Sequence, residues 1–97
     1  MRELQPPPSA KRDPKATELL RLWAANGKLD VVVNIGAYHE KGRDEAAARG
    51  IIISDFTRQV ARALSQRYGK NEEQEMAKIR DSYLRELKGP TSPLTGE

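Results

Sequence analysis

Hydrophobic and polar positions alternate on either side of one dipeptide, Asn26-Gly27. The flanking runs, Leu19–Ala25 and Lys28–Ile35, are rich in apolar residues. Asn-Gly is typical of a type I′ turn, which needs positive φ at both central residues. The pattern therefore predicts an antiparallel β-hairpin.

A two-residue turn also fixes which side chains face each other across the hairpin. One face, the apolar face, would carry the pairs Leu20–Val33, Leu22–Val31 and Ala24–Leu29. The opposite face, the mixed face, would carry Leu19–Asn34, Arg21–Val32 and Trp23–Asp30. A half-buried antiparallel pair is expected to divide its residues in this way.

The first run has a second interpretation. Thr17–Ala25 also suits a short helix, with Thr17 as the N-cap and Gly27 just beyond the end. This alternative would give the order αβαα, and the cross-strand pattern favours the hairpin.

Helical spacing follows a loop at Gly36–Arg43. A long helix is predicted from Glu45 to about Tyr68, with Asp44 as N-cap and Gly69 as its left-handed end. Its apolar positions are Ile52, Ile53, Phe56, Val60, Ala63 and Leu64. Gly50 lies inside this helix, and we expect it to allow close approach of the sheet or another helix.

A second helix is predicted between Asn71, its N-cap, and Gly89-Pro90. Its apolar stripe is Met76, Ile79, Tyr83 and Leu87. The predicted fold class is α+β, an antiparallel β-hairpin packed against two α-helices (ββαα). We expect both helical stripes to cover the apolar face.

Length and composition fit one small domain. The chain has 97 residues, of which 37% are hydrophobic. We predict a disordered Pro-rich arm at 1–16, a single domain at 17–89 and a disordered tail at 90–97. With no cysteine, no apolar leader and no apolar run of the ~20 residues that span a bilayer, a soluble cytoplasmic protein is expected.

The order of elements resembles a small family of uncharacterised bacterial proteins catalogued as a domain of unknown function. The resemblance rests on 19–23, 29–33, 44–55 and 79–87, and it spans about Thr17–Thr95. Members often place a tryptophan before the glycine of the long helix, where this chain has Arg49 before Gly50. The resemblance implies the fold and no activity.

Candidate catalytic chemistry is sparse. His39 is the only histidine, in a loop beside Glu40, and a solvated histidine is the simpler interpretation. The helical serines Ser54, Ser65 and Ser82 have no base nearby in sequence, and no phosphate-binding or dinucleotide motif occurs. We therefore expect no catalytic residue, cofactor or metal, and no enzyme activity.

Basic residues on the long helix raise a nucleic-acid hypothesis. Arg58, Arg62 and Arg67 could contact phosphates. The net charge is only +3, and a solvated helix face is the alternative interpretation.

The leading hypothesis is a small self-associating interaction or regulatory module. A lone two-stranded sheet is marginally stable in water and leaves both edges open. We expect Leu19, Trp23 and Val32 on the mixed face to form the interface of a homodimer. No membrane partner is expected, and weak nucleic-acid binding through the long helix is the alternative.

Overall fold

The computed structural model describes residues 1–91, and its first element is a single helical turn, α1 (Pro8–Arg12). Sequence analysis did not predict this turn. Residues 1–16 are almost all exposed, but Glu3 contacts Arg21 of the hairpin at 2.7 Å. Of the tail predicted at 90–97, residues 92–97 lie outside the described residues.

The predicted hairpin is confirmed. β1 (Leu20–Ala25) pairs antiparallel with β2 (Lys28–Val33) in the predicted register, with Leu22 opposite Val31 and Trp23 opposite Asp30. Asn26 and Gly27 have φ of 54° and 73°, as a type I′ turn requires. The alternative helix at Thr17–Ala25 is therefore wrong.

Both predicted long helices are present. The loop after β2 contains one 3₁₀ turn (His39–Lys41), and α2 (Glu45–Tyr68) begins where the Asp44 side chain accepts from the Ala47 N–H at 3.0 Å. Gly69 ends α2 in the left-handed conformation. α3 (Glu72–Lys88) begins at Asn71, whose side chain accepts from the Gln74 N–H at 2.9 Å. Side-chain caps therefore set both helix starts.

The hydrophobic core is thin and lies between the helices. α2 contacts α3, and Ala61 of α2 is fully buried. Glu75 of α3 is also buried, and its carboxylate pairs with Lys78 at 3.0 Å. The described residues include no other buried hydrophobic side chain, so the helix pair encloses little apolar volume.

The predicted α+β class is confirmed, but the helices cover less of the hairpin than expected. Leu20, Leu22 and Leu29 of the apolar face are 42%, 54% and 54% exposed. Phe56, which was expected to cover this face, is 61% exposed. The reason is that α2 packs against α3, while the hairpin makes few contacts with either helix and is hydrogen-bonded to Arg49, near the start of α2.

Candidate functional site

The apolar face of the hairpin is one candidate surface. Leu20, Leu22 and Leu29 lie on it with Ala24, and all four are exposed. Val31 and Val33 complete the face and are half-buried. The register thus gathers adjacent apolar side chains into one patch that faces solvent, and patches of this kind often mark association.

The mixed face holds the interface residues predicted from sequence. Trp23 and Leu19 are half-buried, and Val32 is 56% exposed. Arg21 lies on the same face and pairs with Glu18 and with Glu3 of the N-terminal segment, each at 2.7 Å. The N-terminal segment therefore reaches the mixed face, and the ion pair with Glu3 holds it there.

Arg49 joins the hairpin to α2. Its guanidinium donates to the backbone carbonyl oxygens of Leu19, at 3.5 Å, and of Asn34. It also pairs with Glu45 at 2.8 Å and lies 5.7 Å from the centre of the Tyr38 ring. One side chain therefore links both strand ends, the loop and the helix.

Glu45 completes this junction from the first turn of α2. Its carboxylate accepts from the backbone N–H groups of Tyr38 at 2.9 Å and His39 at 3.0 Å. Partial burial favours the neutral acid, but the hydrogen bonds from His39, Tyr38 and Arg49 outweigh it, so the pKa of Glu45 lies below its usual value. Glu45 is therefore held as a carboxylate at neutral pH.

A groove of about 510 Å³ lies between the long helices, and we call it the interhelical groove. Its apolar lining includes Ile53 and Tyr83, both more than one-third exposed, and the half-buried Met76 and Ala77. Polar side chains also border it: Ser54, Thr57, Arg58, Glu73 and Arg80. A groove of this volume is within the usual size of ligand or side-chain pockets.

Gly50 also lines the groove, and its predicted role is wrong. Apart from the neighbouring part of α2 itself, no heavy atom of residues 1–91 lies within 4 Å of where a Cβ would be, so no other strand or helix approaches it closely. The missing side chain instead leaves that end of the groove open. A glycine inside a helix costs about 1 kcal/mol relative to alanine, so the opening is accompanied by a less stable helix.

The basic residues predicted to meet phosphate are not gathered into one basic patch. Arg58 and Arg62 border a shallow cleft together with Asp55. Arg62 lies 3.7 Å from the Glu72 carboxylate, and Arg67 stacks on Tyr68 at 5.5 Å. The geometry does not favour the nucleic-acid alternative.

His39 lies at the exposed start of the 3₁₀ turn, and its contact with Glu45 is made by its backbone N–H. Residues 1–91 contain no group of three or more His, Cys, Asp or Glu side chains placed to hold a metal ion. In the same range, no helix combines the length and apolar character needed to cross a membrane.

Comparison with protein families identifies the group to which the chain is related. The family model described as "Domain of unknown function (DUF5076)" matches residues 3–91. The chain belongs to this family. The resemblance inferred from sequence is confirmed, and the match extends it to the N-terminal segment that carries Glu3. No curated protein matches the chain.

A solved structure shares the fold. It is described as "Structure of a putative pyruvate dehydrogenase from the photosynthetic bacterium Rhodopseudomonas palustrus CGA009". The match has a TM-score of 0.72 and 23% sequence identity, and it covers 100% of this chain and 95% of that one. At this identity, the similarity establishes the hairpin-and-helices arrangement alone.

Sequence analysis missed the Arg49 junction and the groove. The family resemblance draws attention to Arg49 through an expected tryptophan at its position, but nothing local indicates a contact with Leu19, 30 residues away. Gly50 does stand out in the sequence, since glycine inside a helix lowers the stability of that helix relative to alanine. The expectation of a close approach is not met within one chain, since the space beside Gly50 is open.

Proposed function

We propose that this protein is a self-associating interaction module that works as a homodimer. The observation that carries the proposal is its exposed area, 8631 Å². A compact monomer of 10.9 kDa would expose about 5,600 Å² by the general scaling of surface with mass. The excess is about 3,000 Å², and a standard interface buries about 800 Å² on each partner.

Part of this excess belongs to residues 1–16, but exposed apolar residues of the hairpin, α2 and α3 also contribute to it. They are Leu20, Leu22, Leu29, Val32, Ile51, Ile53, Phe56, Tyr68, Tyr83, Leu84 and Leu87, each at least 40% exposed. The radius of gyration, 15.3 Å, also exceeds the roughly 12.5 Å expected of a compact chain of this length. A second copy would cover apolar surface that this chain leaves in water.

The occupant we favour is a second copy, because a lone two-stranded sheet is marginally stable and needs further packing. The cytoplasmic location expected from composition is part of the same proposal. The activity named for the Rhodopseudomonas protein is not proposed here, since 23% identity supports only the fold.

Molar mass from light scattering on a size-exclusion column tests this proposal. We expect the wild type to give twice the chain mass at micromolar concentration. Leu22→Asp should move the mass towards that of one chain, because a carboxylate in an apolar interface is costly to desolvate. Arg12→Asp, at an exposed position of α1, is the control and should keep the wild-type mass. A wild type that stays at one chain mass up to millimolar concentration would overturn the proposal.

A further inference from the structure

We infer that the dimer forms by reciprocal exchange, with the apolar face of each hairpin seated in the interhelical groove of the other copy. This inference rests on the proposed function. It specifies which two surfaces meet and which residues meet there.

The first step is that both surfaces leave apolar side chains exposed within one chain. The apolar face exposes Leu20 and Leu22, and the groove exposes Ile53 and Tyr83. The hairpin and the helix pair make few contacts with each other. In most domains, a sheet face packs against helices. The apolar face of the hairpin and the interhelical groove are therefore surfaces of the two kinds that normally pack together.

The second step is that the chain holds these surfaces apart. Arg49 binds the carbonyl oxygens of Leu19 and Asn34, which fixes the hairpin at the N-terminal part of α2. Glu45 holds the intervening loop through the N–H groups of Tyr38 and His39. A hairpin tied down at its base in this way cannot fold onto its own groove without breaking the junction.

The third step is symmetry. Face-to-face contact of two hairpins would leave both grooves exposed, and contact of two grooves would leave both hairpins exposed. Reciprocal contact of hairpin with groove covers both surfaces in each copy and closes the assembly at two chains. Among these arrangements, it buries the most of the apolar area that the monomer exposes.

Gly50 supplies an independent observation. Among residues 1–91, no atom outside the neighbouring part of α2 lies within 4 Å of the place where a Cβ would be, although the glycine weakens α2. In the reciprocal dimer, this opening admits an apolar side chain from the partner's hairpin. This contact would explain why a glycine occupies position 50, which contacts within one chain do not explain.

Cross-linking of single-cysteine variants tests the arrangement, because the wild-type chain contains no cysteine. Leu22→Cys labels the apolar face, Tyr83→Cys labels the groove, and Gln66→Cys, at an exposed site of α2, is the control. One variant in each mixture carries a tag that changes its mass. A short bis-maleimide then joins cysteines that lie close together, and gel mobility separates mixed from like pairs.

We expect the mixture of Leu22→Cys with Tyr83→Cys to give the mixed pair in clear excess over either like pair. Mixtures that contain Gln66→Cys should give little of any product. An excess of the Leu22→Cys like pair would show hairpins face to face and overturn the inference. An excess of the Tyr83→Cys like pair would show groove against groove and overturn it as well.

A second measurement separates this inference from the proposed function. Gly50→Leu should fill the groove and raise the dimer dissociation constant at least about tenfold, while Gly50→Ala should change it less. Helix content should be kept in both variants, because a Cβ at this position meets open space in the monomer and both alanine and leucine favour helix more than glycine does. A wild type that dimerises, with Gly50→Leu dimerising equally well, would overturn the reciprocal arrangement and leave the homodimer standing. A monomeric wild type would overturn both.

Discussion

The guanidinium group of Arg49 donates to the backbone carbonyl oxygen of Asn34 and so joins the long helix to the end of the second strand. The same group reaches the carbonyl oxygen of Leu19, which precedes the first strand. Both carbonyls lie at the open end of the hairpin, away from the turn. Arg49 therefore closes that end and sets the direction in which the hairpin leaves the helices.

Replacing Arg49 with methionine tests this role. Arg49→Met keeps much of the side-chain length and removes every donor, so the two carbonyl oxygens and Glu45 lose a charged partner. We expect the free energy of unfolding to fall by about 2 kcal/mol, measured by urea denaturation. Arg12→Met is the matched control at an exposed position and should change stability little. Equal effects of the two substitutions would contradict the proposed link.

The junction also predicts how stability depends on pH. The pKa of Glu45 is lowered in the folded protein from an ordinary value of 4.5. Its carboxylate therefore stabilises the fold above that ordinary value, and this contribution is lost as pH falls through the lower folded pKa, where the unfolded chain binds the proton more readily.

Urea denaturation at several pH values between 7 and 3 should show this loss. Glu18 and Glu86 also have lowered pKa values, so the wild type will lose stability from several carboxylates in this range. The informative quantity is the difference between the wild type and Glu45→Gln. We expect that difference to be largest at pH 7 and to shrink below pH 4.5. A difference that stays constant with pH would show that the Glu45 charge is not involved.

The turn gives a third prediction. Gly27 has φ of 73°, where a β-branched side chain is strained. Gly27→Val should therefore lower the free energy of unfolding by more than about 1 kcal/mol. Lys28→Val introduces the same side chain at the next residue, in β2, where an extended backbone accepts valine. Similar losses of unfolding free energy in the two variants would show that the positive φ of Gly27 is not the cause of its effect.

Elements that depend on nearby residues were predictable from sequence, and relationships between elements were not. Asn26-Gly27 determines the hairpin register, and the caps Asp44 and Asn71 mark the helix starts, because each acts within a few residues. The exposure of Phe56 depends on which face of α2 meets α3, and the spacing of apolar residues along one helix does not specify which element will cover them. The Arg49 contacts depend on where the loop places the hairpin, which local pattern does not specify.

The N-terminal segment gives a fourth prediction. Its described contact with the hairpin is the exposed ion pair between Glu3 and Arg21, and exposed pairs contribute little to stability. Deleting residues 1–11 should leave the melting temperature within a few degrees of the wild type, as measured by circular dichroism. Glu3→Gln, which removes the ion pair alone, is the control. A much larger loss on deletion would show that the segment packs over the mixed face.

Fluorescence of the single tryptophan can show which face of the hairpin forms the dimer interface. Trp23 lies on the mixed face and is half-buried within one chain, whereas Leu22 lies on the exposed apolar face. If the apolar face forms the dimer interface, dissociation leaves the surroundings of Trp23 unchanged. Quenching of its fluorescence by acrylamide should then be nearly equal in the wild-type dimer and in Leu22→Asp.

Trp23→Ala should lower thermal stability and keep the dimer mass, because the indole packs within its own chain. The opposite result, a monomeric Trp23→Ala together with stronger quenching after dissociation, would place the interface on Leu19, Trp23 and Val32.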